Sequence, residues 1–472
     1  MTQGNGLSDA YTATLTRLKA QKGNKSILGL KVLLWVLFSE RPLKTEEICH
    51  ALGVELGSPD LDLENVPVLR TLLTSSLGLV TVETSSSTVR LVHFTLQEHL
   101  LSDSTLFHSP HSTIAEVCLT YLNFQCIRDL WPTLRSPPAA MPLLEYASYY
   151  WGHHTGKGMT ENVKILALRL LDKFDEHISA QLISLRHNRN TGPLPRFDSK
   201  KGPIGFTGLH VTAFLGMAEL LEALLEMKEW DVNARDNSLS TPLMWAARMG
   251  HQEVVKLLLE RRDIKPDQAS FVYGQTALYL AAFYGHEGIV KMILGREDIN
   301  PNQIPTGYPC TPLSIAAHRG YEGVVNMLLE REDVNPNLAD SRDSRTPLVD
   351  AASQGHEGVV KMLLDRNDIR IDIRDRENQT AHSVALSRGR DKIARMISER
   401  AASKSDTEDP GGQESLPSSA GDEEESVAEM ELRDDHSNAT AADPNGHLHP
   451  RQQTPIRRKG IGLRRLYSWF HR

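Results

Sequence analysis

The stretch Thr241-Pro242-Leu243-Met244-Trp245-Ala246-Ala247-Arg248-Met249-Gly250-His251 decides how the chain is read. Thr can cap a helix with its hydroxyl, and Pro at the first helical position lacks only an amide hydrogen that would find no partner there. Ala246 and Ala247 are small enough for neighbouring helices to approach closely. Gly250 permits the positive φ that ends a helix and reverses the chain. Val254, Val255, Leu257, Leu258 and Leu259 then supply the apolar stripe of a return helix.

The unit recurs. Thr207, Thr241, Thr276, Thr311, Thr346 and Thr380 stand 34, 35, 35, 35 and 34 residues apart, too regular for chance. Gly216, Gly250, Gly285, Gly320, Gly355 and Gly389 each follow nine residues later. Asp231-Val-Asn233, Asp298-Ile-Asn300 and Asp333-Val-Asn335 precede the next unit, where Asp and Asn suit turns. A period of this length implies that each unit buries its apolar face on its neighbours.

These residues resemble the ankyrin repeat, whose T-P-L-H-x-A signature and roughly 33-residue period they follow. The likeness departs at both ends: Gly208 replaces Pro in repeat one, and His382 stands where Leu is expected in repeat six. Both departures are expected to mark terminal caps with a wetter outer face. The resemblance implies that a protein partner is held by finger tips and by the exposed ends of the first helices. Those positions are Arg248, Met249, Phe283, Tyr284, His318, Arg319, Ser353 and Gln354, with Tyr273 and Tyr308 on the fingers. Phe283 and Tyr284 are the preferred anchors, since aromatic residues dominate interface energetics; packing on the neighbouring repeat is the alternative reading. His251, His286 and His356 share one offset, but repeats stack about 8 to 10 Å apart, too far for ligands about 2 Å from one zinc. They read as structural.

Upstream, Ile27–Leu37 reads as a helix, Thr45 as the cap of a second, and 67–77 as a third. Leu79–Val82 and Thr88–Val92 alternate around a polar turn as a hairpin. Three helices and a hairpin make a winged helix. Residues 40–103 hold ten Asp/Glu against four Lys/Arg, and Arg70 is the only base of the third helix, so few phosphates could be neutralised. DNA binding is disfavoured. Leu43-Lys-Thr-Glu-Glu-Ile-Cys-His-Ala-Leu-Gly-Val54, Val89–Leu100, His111–Leu122 and Leu143–His154 resemble fungal NACHT-ankyrin (NLR-like) proteins. There a winged-helix segment bearing the name of a GPI inositol deacylase, followed by a helical stretch, precedes the repeats. Nothing in the residues supports deacylase activity.

Members of that family carry a phosphate loop upstream, and this chain has no GxxxxGK[ST]; Gly23-Asn24-Lys25-Ser26 lacks the first Gly and the loop length. ATP or GTP binding is not expected, and the nucleotidase is expected to be missing, through truncation of a paralogue or of the gene model. No GxSxG, HExxH or kinase-like set occurs, so neither an enzyme nor a cofactor, metal or small-molecule substrate is expected. Tyr149, Tyr150, Trp151, His153 and His154 read as an aromatic packing seam rather than a site.

Four cysteines without CxxC spacing suggest reduced intracellular protein, with sequons such as Asn438-Ala-Thr440 unglycosylated. The apolar run Ile27–Phe38 is too short to span a membrane, for which about 20 residues are needed. The expected location is cytoplasmic, with the nucleus left open. Residues 401–450 carry thirteen Asp/Glu against two Lys/Arg and few large apolar groups, a composition expected to be disordered. Residues 451–472 carry seven Lys/Arg and no acid; Leu463, Leu466, Tyr467 and Phe470 have helical spacing. That tail could meet an anionic membrane surface or a partner groove, act as an import patch at Arg457-Arg-Lys459, or stay solvated.

The expected architecture is mainly α. A residual helical segment (1–25) precedes the winged helix (26–104), a helical domain (105–187), a linker (188–206), six ankyrin repeats (207–400), the acidic segment (401–450) and the basic tail (451–472). The expected function is a non-catalytic protein-binding scaffold, resembling the ligand-sensing half of an NLR-like receptor. The alternative is a nuclear DNA-associated regulator using the winged helix and basic tail.

Overall fold

The computed structural model describes residues 3–130, 134, 136–191, 205–270, 274–305 and 310–405. Residues 1–402 form one compact unit; of the second, 403–472, only 403–405 are described. The acidic segment beyond 405, the basic tail, Tyr273 and Tyr308 therefore lie outside the described residues.

The first part comprises α1 (Gln3–Lys19), α2 (Lys25–Phe38), α3 (Thr45–Gly53), α4 (Leu69–Ser75), strands β1 (Val80–Glu83) and β2 (Thr88–Leu91), and α5 (Phe94–Ser102). The apolar run of the sequence becomes α2, which buries Val32, Leu33, Leu34 and Trp35. The segment 1–25 is not peripheral to this core, because Leu15 and Leu18 of α1 are buried in it. The strands pair antiparallel with Val80 opposite Leu91 and Val82 opposite Val89. Thr45 is not the cap of α3. It is the first helical residue, and its N–H donates to the Ser87 carbonyl at 2.9 Å. Glu47 closes the helix start instead, accepting from the Lys44 N–H at 2.7 Å while Arg41 grips both carboxylate oxygens at 2.6 and 2.7 Å.

The helical domain contains α6 (Pro110–Leu122), α7 (Gln125–Arg128), α8 (Leu144–Lys157), α9 (Glu161–Leu171) and α10 (Ile178–Thr191), the last running into the expected linker. Its core holds Tyr121, Tyr146, Trp151, Val163, Leu171 and Phe174. Winged helix and helical domain meet where the Arg41 guanidinium lies 5.3 Å from the Tyr146 ring and the Glu40 N–H donates to Tyr146 Oη at 3.1 Å.

Six helix pairs follow: α11 (Gly208–Leu215) with α12 (Ala218–Met227), α13 (Pro242–Met249) with α14 (Gln252–Leu259), and α15 (Ala277–Tyr284) with α16 (Glu287–Leu294). Then come α17 (Pro312–Arg319) with α18 (Glu322–Leu329), α19 (Pro347–Gln354) with α20 (Glu357–Asp365), and α21 (Ala381–Ser387) with α22 (Asp391–Ser405). From the second pair on, each Thr hydroxyl accepts from the amide three residues later, as the sequence suggests.

Repeat one corrects an expectation. Gly208 does not face water: a β-carbon there would collide with the Leu171 carbonyl oxygen of α9. Gly152 of α8 lies equally close to Leu215, Lys228 bonds Asp172, and Phe206 packs on Phe174 at 6.5 Å. The helical domain thus covers this face of repeat one, where the departure from Pro predicts exposure. Repeat six does present an outer face, with Leu386 52 % exposed.

Candidate functional site

In repeats one to five the seventh and eighth residues after the Thr end the first helix. They are Phe214 and Leu215, Arg248 and Met249, Phe283 and Tyr284, His318 and Arg319, Ser353 and Gln354. Small alanines further back let the first helices pack side by side, which brings these ends into one row. Within the row the Arg248 guanidinium lies 5.7 Å from the Trp245 ring and 5.8 Å from the Tyr284 ring. Phe283 meets Tyr284 edge-on at 4.9 Å, and Arg319 covers the Phe283 ring at 4.1 Å. Phe214 meets Trp245 edge-on at 5.5 Å. Aromatic and guanidinium groups therefore alternate across repeats one to four, each cation attracted to the negative ring face beneath it.

The expected contact residues are not equally available. Tyr284 is 38 % exposed and Gln354 is exposed, while Arg248, Met249, Phe283, His318 and Arg319 are half-buried. Ser353 is the exception. It is 3 % exposed and its hydroxyl donates to the Asp350 carbonyl at 2.9 Å, so a partner has no access to it. At this offset a long side chain emerges and a short one is covered. His318 Nδ1 lies 3.5 Å from Asp350 Oδ1, and burial pushes the Asp350 carboxyl above the usual range.

Two residues that build the row were not among the expected contacts: Phe214, a member of it, and the buried Trp245, which backs it. Trp245 is held by Asp236, whose Oδ2 accepts from its Nε1 at 2.9 Å while Oδ1 accepts from the Ser238 and Ser240 amides at 2.8 and 2.9 Å. The finger turn and the groove aromatic are thus built on one carboxylate. Phe214 occupies in repeat one the offset of Arg248 and Phe283, a signal present in the sequence.

The recurring histidines are structural, but in a way their spacing did not reveal. His251, His286 and His356 each place Nε2 3.1 to 3.2 Å from a carbonyl of the preceding repeat, that of Phe214, Arg248 and His318. Their rings fill the space over Gly216, Gly250 and Gly320, so these glycines serve both a positive φ and a ring that a β-carbon would strike. Burial pushes the His251 and His286 imidazoles below the usual range, keeping them neutral.

A second ladder runs along the turns. Asn233, Asn302 and Asn337 each donate to the carbonyl of Asp263, Asp333 or Asp368 at 2.6 to 2.7 Å and accept an amide at 2.7 to 2.8 Å. Arg296, Arg331 and Arg366 bridge an Asp two residues on to the carbonyl of Leu259, Leu294 or Leu329.

Two family models match the chain. The model described as ankyrin repeats (3 copies) matches residues 181–270, 209–305, 260–340 and 313–408. That described as GPI inositol-deacylase, winged helix domain matches residues 15–112. No curated protein matches the chain. Among solved structures, the ankyrin repeat domain of Bcl-3, a member of the IkappaB family, is 22 % identical with a TM-score of 0.37, covering 41 % of this chain and 85 % of its own. An ankyrin repeat domain from Acinetobacter baumannii AYE is 23 % identical with a TM-score of 0.38, covering 41 % and 97 %. The chain thus carries ankyrin repeats behind a winged-helix domain of the GPI inositol-deacylase type.

Proposed function

We propose that this chain is a non-catalytic scaffold whose row of first-helix ends holds a protein partner. The observation that carries the reading is the succession of Arg248, Tyr284, Phe283 and Arg319 across adjacent repeats, backed by the buried Trp245. Tryptophan, tyrosine and arginine are the residues most often responsible for interface energy, and here they are fixed by neighbours rather than free to rotate. The other expected contacts among the described residues, Met249, His318 and Gln354, belong to the same row.

The finer reading is that the chain corresponds to the ligand-sensing half of a fungal NLR-like receptor, the winged helix passing a binding event to a nucleotidase. Its support is the succession of winged helix, helical domain and repeats, and the resemblance quoted above. The DNA-regulator alternative finds no favour in the acidic winged helix. The test is capture of binding proteins by the wild type and by a Phe283→Ala/Tyr284→Ala variant with an unchanged melting temperature. Equal capture of every partner by both would sink the assignment of this face.

A further inference from the structure

We propose that Glu40, His111 and His154 form a binding site for one zinc-class divalent cation at the junction of winged helix and helical domain. The donors come from three elements. Glu40 follows the end of α2, His111 lies in the first turn of α6, and His154 in the last turn of α8. Their ligand atoms all lie within 4.8 Å of one another.

His111 Nδ1 and His154 Nδ1 face each other at 2.8 Å, so one carries a proton and the other accepts it. Transfer of that proton to Nε2 of the same ring frees both Nδ1 lone pairs, which then face each other across the gap. Nitrogens bound tetrahedrally to one zinc at about 2.0 to 2.1 Å stand about 3.3 Å apart. The ring centroids are 5.1 Å apart and the two Nδ1 atoms point along one line, so the gap must open by about 0.5 Å and both rings must turn off that line toward Glu40.

The outer partners of such a site are also present. The fully buried His154 places Nε2 2.9 Å from Tyr146 Oη, which in turn accepts the Glu40 N–H at 3.1 Å. Metal-bound histidines normally use their second nitrogen in this way to fix ring orientation. One phenol therefore orients a histidine ligand and ties it to the backbone of the carboxylate ligand. His153 Nε2 stands 3.0 Å from Glu40 Oε1 but outside the three-residue cluster, so water would complete the coordination. Two imidazoles and a carboxylate suit zinc, whereas calcium and magnesium take all-oxygen sets.

Lys157 Nζ lies 3.0 Å from the same Glu40 oxygen and competes with the cation. Occupancy exchanges this rim ion pair for bonds joining three elements. Trp151 is buried and Tyr150 meets both Tyr146 and Tyr149, so the polar cluster borders packed aromatic rings.

The full chain, stripped with a chelator, is titrated with Co2+, whose visible absorption reports a tetrahedral site, and then with Zn2+. The expected result is one saturable equivalent that Zn2+ displaces, raises the melting temperature, and disappears in His111→Gln. Tyr146→Phe should weaken binding about 10- to 100-fold. Lys157→Met should tighten it, an effect that a purely structural cluster would not produce. Should His111→Gln fail to fold, Glu40→Gln on the accessible rim replaces it. Absence of a saturable Co2+ band in the wild type, or the same stoichiometry and affinity in the ligand variant, overturns the proposal.

Discussion

Gly208 of repeat one lies against the carbonyl oxygen of Leu171 in α9, leaving no room for a side chain between the helical domain and the repeats. Gly208→Ala should force the two apart. Overpacking of this kind costs about 1 to 3 kcal/mol, measurable by urea denaturation of the full chain. An unchanged midpoint would mean that the contact is not rigid.

Asp267 occupies the turn position that Asn233, Asn302 and Asn337 hold in other repeats. Its Oδ2 accepts the Asn300 N–H at 2.5 Å, but its buried Oδ1 has no partner among the described residues, where an asparagine would donate to a carbonyl. Burial, aided by Asp298, pushes this carboxyl above the usual range. The folded state therefore holds the proton more tightly than the unfolded one. Stability is fully present below about pH 3.9, the unfolded value, and is lost as pH rises through the raised folded value. Asp267→Asn should restore the missing donor and stabilise the chain at pH 7 by about 1 to 2 kcal/mol. Comparison of melting temperatures at pH 5 and pH 8 should show the gain growing with pH.

His177 shows the opposite sign. Burial pushes its imidazole down to about 4, while Nε2 sits 3.0 Å from the Leu122 carbonyl. An unfolded histidine binds its proton near pH 6.5, so the unfolded state takes up more protons as pH falls. Its contribution is present above that value and declines by about 1.4 kcal/mol per unit as pH drops toward 4. His251 and His286 act in the same direction. Chemical unfolding between pH 7 and 5 should show the decline, and His177→Gln should make it shallower.

Leu243 is buried in the first helix of repeat two. Leu243→Ala should cost about 2 to 5 kcal/mol and lower hydrogen-exchange protection in repeats one and three as well. Loss confined to repeat two would contradict nearest-neighbour coupling.

Duplex DNA should show no salt-dependent retention by the full chain at physiological ionic strength. Arg70 is exposed on α4, but Arg90 of the hairpin is taken by Glu83 at 2.9 Å. A salt slope corresponding to several phosphates would reverse this reading.

The repeats were legible because their determinants are local: Thr241 caps, Gly250 reverses and the leucines between them face inward, all within one period. What α9 does to Gly208 was not legible, since a glycine in place of proline looks the same whether it faces water or a carbonyl oxygen. The histidine bonds were equally hidden, because the acceptor of His286 lies 38 residues earlier. Ser353 shows the limit of offset reasoning, which assigns a position to a face without regard to side-chain reach. The polar pairing of His111 with His154 joins helices 43 residues apart and leaves no periodic trace.

The carbonyls that His251, His286 and His356 grasp belong to Phe214, Arg248 and His318, residues of the candidate binding row. Three of that row's five rungs are thereby anchored from behind by the following repeat. A ligand meeting it finds a surface already set in shape, so little freedom is surrendered on docking and discrimination rests on fit rather than on adaptation. Releasing one anchor by His286→Ala would slacken Arg248 and blunt selectivity without removing a single atom that the ligand touches.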